Sequence, residues 1–216
     1  SGIWYEVTPG KGQKSGFYCD QRNNRKAIEK YVKDKDVLDV CSYTGGFTLH
    51  ALRAGAKSVK AVDSSESALR HLLYQIHLNE NKGTLPLDSR NKVEIEAYDC
   101  FEYVRAMEDD KYDVIILDPP KLAQTKGKLE NATRAYKDLN RVAMMKIKNG
   151  GIIATFSCSG AMTRENFLLT LSWAASDIGA EVQILETLSQ GSDHPQRLSF
   201  PESQYLKGFI LRVIKK

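Results

Sequence analysis

The chain has few features that would place it in a membrane or in an oxidising compartment. No apolar run among its 216 residues approaches the roughly 20 needed to cross a bilayer. Its four cysteines, Cys19, Cys41, Cys100 and Cys158, form no CxxC pair and have no histidine at metal-ligand spacing. We therefore expect no disulfide framework and no metal site. A reducing compartment is expected, the cytoplasm first and an organelle as the alternative.

The sequence also lacks the GxGxxG dinucleotide fingerprint and any phosphate-binding glycine run. This absence argues against NAD, because that fingerprint is what brings a pyrophosphate onto a helix N-terminus. The hydrophobic content of 42% and charged content of 27% are typical of a globular domain, and the length suits a single one. A net charge of +4 permits an anionic partner such as nucleic acid without requiring one.

Strand and helix signals alternate along the chain. Apolar runs predict strands at residues 36–41, 58–62, 93–97, 112–117, 151–156, 182–187 and 206–214. Helical periodicity predicts helices at residues 22–32, 46–54, 64–81, 100–107, 130–147 and 163–178. Such alternation demands parallel pairing, whereas the last two strands have no helix between them and should pair antiparallel. We predict an α/β fold: a seven-stranded, doubly wound, mostly parallel, Rossmann-like sheet over residues 21–216, preceded by a hairpin over residues 1–20.

The first strand-to-helix turn carries a glycine pair, Gly45 and Gly46. Glycines let the backbone approach a ligand closely, and a helix N-terminus favours a carboxylate. Asp63 ends the second strand 24 residues after Asp39, where a carboxylate usually binds the ribose of an adenosine cofactor. Asp99, after the third strand, is placed to meet the adenine amino group, to cap the next helix, or to do both. The pattern indicates an adenosine cofactor other than NAD.

Two further strand ends carry groups that suit methyl transfer to a base. Asp118 follows a buried strand directly, and Pro119 and Pro120 fix the backbone that presents its carboxylate. Cys158 ends a later apolar run among serines, which places its thiol at the mouth of the sheet near Asp118. A thiolate that adds to C6 of cytosine makes C5 able to attack S-adenosylmethionine, and Asp118 could hydrogen-bond N3 and N4. The competing interpretation is an inert buried cysteine.

The residue after the two prolines is Lys121. In nucleic-acid methyltransferases that modify exocyclic amines, this position normally holds an aromatic residue that stacks on a flipped base. A lysine there makes amine methylation a poorer interpretation. The polar segment at residues 122–131 predicts a loop, whose Lys126 and Lys128 join Lys121 as candidates for phosphate contacts.

The motifs together resemble those of the RlmI-type 23S ribosomal RNA cytosine-5 methyltransferases. The resemblance rests on residues 16–25, 42–47, 118–121, 136–138, 156–160, 193–195 and 201–208. It implies the class I methyltransferase fold, S-adenosylmethionine as cofactor and large-subunit ribosomal RNA as partner, with Cys158 as nucleophile assisted by Asp118. The cofactor residues that follow from it and from the strand ends are Gln21, Arg22, Asp39, Tyr43, Thr44, Gly45, Gly46, Asp63, Ser64, Asp99 and Asp118. The substrate-side residues are Pro119, Pro120, Lys121, Lys126 and His194.

The chain departs from this family in two ways. Members usually begin with an RNA-binding PUA domain, so the chain is expected either to be a fragment or to obtain RNA affinity elsewhere. Other RNA cytosine-5 enzymes carry a second cysteine where this chain has Pro119 and Pro120, which leaves the base for the C5 proton open. His194 is one candidate and an ordinary loop histidine is the alternative.

Two other functions stay open from the sequence. One is a methyltransferase that acts on a guanine nitrogen or on a small molecule, which would need no thiol adduct. The other is a non-catalytic domain that binds RNA or a protein, against which the intact Asp63, Asp118 and Cys158 argue. The target nucleotide and the oligomeric state are left open.

Overall fold

The computed structural model describes residues 2–7, 16–122, 127 and 129–216. Its strands are β1 (Asp36–Val40), β2 (Ser58–Asp63), β3 (Val93–Ala97), β4 (Val114–Leu117), β5 (Ile152–Ser157), β6 (Glu181–Ser189) and β7 (Lys207–Ile214). Its α-helices are α1 (Arg22–Ile28), α2 (Gly46–Arg53), α3 (Glu66–Asn81), α4 (Cys100–Ala106), α5 (Leu129–Lys146) and α6 (Arg164–Asp177). In this described part of the chain, no helix is both long enough and apolar enough to span a membrane.

The strands form one seven-stranded sheet in the order β3-β2-β1-β4-β5-β7-β6. Strands β1 to β5 are parallel, and β7 runs antiparallel to both β5 and β6. The predicted α/β sheet with a closing antiparallel pair is therefore confirmed. From β1 the chain builds outward to β3 on one side and then returns to β4 on the other. A crevice between β1 and β4 at their carboxyl ends follows from that reversal, and such crevices hold ligands in α/β sheets.

Each face of the sheet has its own apolar core, as expected for strands covered on both sides. On β1, Val37 packs into the cluster beneath α1, α2 and α3, while Leu38 packs into the cluster beneath α4, α5 and α6. Both side chains are fully buried. Burying an aliphatic side chain of this size contributes about 1.5 to 3 kcal/mol, so the two cores fix the plane from which the strand ends project.

The first helix is shorter than predicted. Helical periodicity suggested residues 22–32, but α1 ends at Ile28. The chain then tightens into turns in which Tyr31 N donates to Ile28 O at 3.0 Å and Lys35 N donates to Val32 O at 3.1 Å. Val32 is nevertheless fully buried. Its apolar character therefore reflects packing of this turn on the core and not a longer helix.

The predicted N-terminal hairpin is not seen as strands in residues 2–7 and 16–18, and its turn at residues 8–15 lies outside the described residues. Residues near the start are instead held against α3. Trp4 N donates to Asn79 Oδ1 at 2.8 Å, and Asn79 Nδ2 donates to Trp4 O at 2.8 Å. A 3₁₀ turn at Cys19–Gln21 then brings the chain to the edge of the crevice.

Candidate active site

A cavity of about 850 Å³ lies beyond the carboxyl ends of β1, β2, β4 and β5. Its size falls within the range of small-molecule sites. It brings together ten of the predicted site residues, which are Gln21, Tyr43, Thr44, Gly46, Asp63, Ser64, Asp118, Pro120, Lys121 and Cys158. The strand ends that the sequence singled out therefore converge on one cavity.

The turn after β1 has an unusual backbone. Cys41, Tyr43 and Gly45 have positive φ values of 60°, 49° and 80°. Such values are uncommon for residues other than glycine and are maintained only where the surroundings fix them. Asp63 helps to hold this backbone in place, because its Oδ2 accepts from Tyr43 N at 2.8 Å and its Oδ1 accepts from Ser65 N at 2.9 Å. Each carboxylate oxygen retains a second lone pair that can accept a ligand hydroxyl.

The two glycines of the turn are needed for close packing. A Cβ on Gly45 would overlap the Leu72 side chain, and a Cβ on Gly46 would lie 2.6 Å from Arg25 Nη1. Gly46 also lines the cavity. The glycine pair thus lets α3 and the Arg25 guanidinium approach the turn, a requirement that the sequence pattern did not reveal.

Asp39 lies beneath the turn rather than in the cavity lining. It is fully buried in β1, and its Oδ2 accepts from Thr48 N at 3.0 Å and from Thr48 Oγ1 at 2.7 Å. Burial raises the pKa of this carboxyl to about 7, although the Thr48 hydrogen bonds act in the opposite direction. The contacts show Asp39 anchoring α2 to the sheet, so a direct contact with cofactor stays a prediction.

Asp118 follows β4 and is held by Gln21. Gln21 Nε2 donates to Asp118 Oδ1 at 3.0 Å, while Gln21 Oε1 accepts from Asn24 Nδ2 at 2.6 Å. Burial raises the pKa of Asp118 to about 7, and the charges of Asp39 and Asp20 act in the same direction. Near neutral pH this carboxyl therefore exists in both protonation states, so it can either donate or accept a hydrogen bond.

Cys158 comes directly after β5, the strand next to β4, and its side chain is half-buried. Its Sγ lies 4.0 Å from Pro119 O, and both Cys158 and Asp118 line the cavity. The next residue is tied down, because Ser159 Oγ lies 3.1 Å from Tyr136 Oη and Ser159 O accepts from Lys207 Nζ at 2.7 Å. The thiol is thus fixed beside the Asp-Pro-Pro turn and open to the cavity.

Asp99 is the N-cap of α4. Its Oδ1 accepts from Phe101 N and from Glu102 N, both at 2.9 Å. The side chain is exposed and does not contribute to the cavity lining within the described part of the chain. The helix-capping interpretation of Asp99 is therefore the one seen in its contacts, and contact with an adenine amino group stays a prediction.

The predicted residues Arg22 and His194 lie apart from the lining that the described residues form. The Arg22 side chain is half exposed and pairs with Asp193 at 3.7 Å, and His194 Nδ1 lies 3.4 Å from the same carboxylate. These contacts place Arg22 and His194 in a surface cluster. Lys126 lies outside the described residues, as does Lys128.

Twelve of the described lining residues were not predicted to belong to the site, among them Tyr18, Asp20, Glu202 and Tyr205. Tyr205 Oη donates to Asp20 Oδ2 at 2.7 Å, and the Tyr18 ring meets the Tyr43 ring edge-on with centroids 5.5 Å apart. Glu202 lines the same wall. The available signal was the aromatic and acidic content of residues 16–20 and 201–208, which lie far apart in the sequence and meet only in the fold.

The charge of the lining identifies the kind of cofactor that fits. Its acidic side chains are Asp20, Asp63, Asp118 and Glu202, and its basic side chains are Arg25 and Lys121. A phosphate-bearing nucleotide would be repelled by this surplus of carboxylates, whereas a cofactor with a cationic sulfur and no phosphate is favoured. The described residues contain no group of three or more histidine, cysteine or acidic side chains arranged to hold a metal ion.

The sheet order, the strained turn after β1 and the carboxylate after β2 define the class I methyltransferase architecture. The sequence model of the S-adenosylmethionine-dependent methyltransferase family matches residues 1–197. The chain belongs to this family, and its cofactor is S-adenosylmethionine. Binding of the ribose by Asp63 and of the amino-acid portion by the turn at residues 41–46 stays a prediction.

Relatives with curated names are similar over the whole of this chain. The ribosomal RNA large subunit methyltransferase I of Tolumonas auensis is 44% identical over 216 residues, covering 99% of this chain and 53% of the relative. That of Aeromonas salmonicida is 44% identical over 215 residues, covering 99% and 52%. The chain spans about half the length of these curated relatives.

Solved structures share the fold. A methyltransferase crystallised with S-adenosylhomocysteine superimposes with a TM-score of 0.83 at 25% identity, covering 98% of this chain and 54% of that one. A methyltransferase from Streptococcus mutans gives a TM-score of 0.82 at 24% identity, covering 98% and 53%. The sheet and its flanking helices therefore match known class I enzymes.

Proposed function

We propose that this domain methylates C5 of a cytosine in large-subunit ribosomal RNA through a covalent bond between Cys158 and C6. The observation that carries the proposal is the position of Cys158 and Asp118 at the ends of adjacent strands, both open to the cavity that holds the cofactor turn. Support for the RNA substrate comes from the relatives, which are named as ribosomal RNA large subunit methyltransferases.

Cys158 provides the activation that cytosine needs. Addition of its thiolate forms an S–C6 bond, and the electron pair of the C5–C6 double bond becomes available at C5. The bound cofactor supplies a methyl group on a positively charged sulfur that departs as a neutral thioether. Loss of the C5 proton to a base then restores the double bond, and the S–C6 bond breaks to regenerate the Cys158 thiolate.

Asp118 is suited to hold the cytosine. Because burial raises its pKa to about 7, a protonated Asp118 can donate to N3 while its other oxygen accepts from the N4 amino group. This pair of hydrogen bonds stabilises the charge that develops on the ring as the thiolate adds. Gln21 holds the carboxylate in place, because its side-chain amide donates a hydrogen bond to Asp118 Oδ1.

The rim of the cavity is suited to RNA phosphates. Lys121 is exposed immediately beyond the two prolines and lines the cavity entrance. Pro120 lines the cavity as well, while Pro119 is buried and contributes its carbonyl beside Cys158. We propose that Lys121 contacts the phosphate next to the target nucleotide and that Lys126 extends this contact.

Trapping with 5-fluorocytosine tests the chemistry. RNA that carries this base should form an adduct with the wild-type protein that survives denaturing electrophoresis, because fluorine at C5 cannot leave as a proton. The adduct should map to Cys158 by mass spectrometry. Cys158→Ser should lose methylation while it retains cofactor binding, since an alkoxide is far harder to form than a thiolate.

The matched control is Cys19→Ser, which removes an exposed cysteine outside the cavity lining. That variant should methylate and trap normally. Full activity in Cys158→Ser without an adduct would reject the cysteine mechanism and favour methylation of a guanine nitrogen, whereas an adduct on another residue would reject Cys158 as the nucleophile.

A further inference from the structure

Lys207 is a buried cation at the edge of the active site. It is the first residue of β7 and only 3% exposed. Because β7 runs antiparallel to β5, its first residue lies at the carboxyl end of β5, paired in register with Ser157. The lysine therefore enters the site from a strand that none of the proposed catalytic residues occupies.

The ammonium group is bound to backbone rather than to a carboxylate. Lys207 Nζ donates to Ser159 O at 2.7 Å and to Tyr205 O at 2.8 Å. An ammonium has three donors, so these two bonds leave one. Within the part of the chain that the structure describes, no carboxylate forms an ion pair with Lys207. A buried ammonium is costly unless an anion is close to it.

The anion that the geometry offers is the Cys158 thiolate. Lys207 pairs with Ser157 in the sheet, and its Nζ reaches the carbonyl of Ser159. The ammonium is therefore bonded to the backbone of the residue that directly follows Cys158. Burial lowers the pKa of Lys207 to about 8, and the negative charge of Cys158 acts against that lowering.

Other charged groups around the pair set the balance. Arg164 and Lys121 face Lys207 and disfavour its protonation. On the Cys158 side, the phenols of Tyr18, Tyr136 and Tyr205 and the carboxylates of Asp118 and Asp20 surround the thiol or line its cavity. The negative charges of these carboxylates disfavour a thiolate. A cation on the opposite side of the thiol would favour it.

We propose that Lys207 is the positioning residue that converts the Cys158 thiol into its thiolate. The S–H bond of Cys158 breaks as its proton passes to water, and the positive charge of the Lys207 ammonium stabilises the thiolate that remains. No further reagent is needed. The inference deepens the proposed function, because it assigns the activation of its nucleophile.

Alkylation of Cys158 by iodoacetamide across a pH series tests this directly, since only the thiolate reacts. The protein should carry Cys19→Ser to remove the exposed thiol, and peptide mapping should follow Cys158 alone. Lys207→Met should raise the pH midpoint by about one unit or more, a tenfold loss of rate at a fixed lower pH. Lys207→Arg keeps the charge and should leave the midpoint within a few tenths of a unit of the wild type.

Lys57→Met is the matched control, because Lys57 is exposed just before β2, at the amino ends of the parallel strands and beside Asp36. It should not move the midpoint. Cofactor binding and thermal unfolding show whether Lys207→Met is folded, and Lys207→Gln, which retains a donor for Ser159 O, replaces it if not. An unchanged midpoint in a folded neutral variant would overturn the proposal.

The alkylation readout requires no RNA, so its failure is separable from failure of the proposed function. An unchanged midpoint combined with trapping at Cys158 would reject the role of Lys207 alone. A shifted midpoint in a protein that does not methylate cytosine would reject the cytosine chemistry and retain the lysine–cysteine pair.

Discussion

Gln21 and Asp118 lie 97 positions apart in the sequence, yet the Gln21 amide donates to the Asp118 carboxylate at 3.0 Å. Gln21 is buried, and a hydrogen bond from Asn24 sets the orientation of its amide. The residues just before α1 therefore help to hold the candidate catalytic carboxylate, whose position is otherwise set only by the end of β4.

Removal of this bond should change the titration of Asp118. The Gln21 donor favours the ionised carboxylate, so in Gln21→Ala the pKa of Asp118 should rise further above its present value of about 7. A hydrogen bond to a charged group contributes about 1.5 to 3 kcal/mol, which predicts a rise of about one unit or more in the Asp118 pKa. The pH–rate profile should show its midpoint moved to higher pH, and an unmoved midpoint would contradict the assigned role of Gln21.

Cofactor affinity should depend strongly on Asp63. We expect Asp63→Ala to weaken S-adenosylmethionine at least tenfold, because it removes the acceptor for the ribose hydroxyls and releases the Tyr43 and Ser65 amides of the turn. Hydrogen bonds to a charged acceptor contribute roughly 1.5 to 3 kcal/mol each. Calorimetric titration measures the effect. Asp99→Asn, which can still cap α4, should change affinity much less, and equal losses would show that Asp99 binds cofactor.

Stability should fall on mild acidification because of His50. This side chain is buried, and its Nδ1 lies 2.5 Å from Glu29 Oε1. Burial lowers the His50 pKa from 6.5 to about 4, although the Glu29 hydrogen bond opposes the change. The unfolded chain then binds a proton that the folded chain does not, so the stabilisation is present above pH 6.5 and is lost as pH falls towards 4.

Urea unfolding at several pH values measures this loss, which should be on the order of 3 kcal/mol for His50. His50→Gln should make the free energy of unfolding less dependent on pH in that interval. The exposed His77 provides the control, since His77→Gln should leave the pH dependence as it is in the wild type. Identical curves for His50→Gln and wild type would contradict the prediction.

RNA binding by this chain should depend on salt. A net charge of +4 provides few phosphate contacts, so affinity should be modest and should fall steeply as salt is added. Lys121→Ala should reduce the slope of log affinity against log salt by about one. Lys57 lies at the amino ends of the parallel strands, away from the cavity. Lys57→Ala should leave the slope unchanged, and fluorescence anisotropy with a single-stranded RNA compares the two variants.

Alternation of apolar runs with amphipathic segments predicted the sheet, its closing antiparallel pair and the bounds of most elements to within two residues. The strand-end residues Asp63, Asp118 and Cys158 could also be found from the sequence, because a reactive side chain directly after an apolar run is a local pattern. Each lies at the end of a buried apolar run. Parallel strands have their carboxyl ends on the same side of the sheet, so these residues come together there.

Other features were decided by tertiary structure alone. The bond from Gln21 to Asp118, the contact of Tyr205 with Asp20 and the bond from Lys207 to Ser159 join segments that lie far apart in the sequence. No periodicity or spacing records such contacts, because they depend on which strands become neighbours. Burial likewise made Asp39 an anchor for α2, since a carboxylate in a strand looks the same in the sequence whether it faces a ligand or a helix.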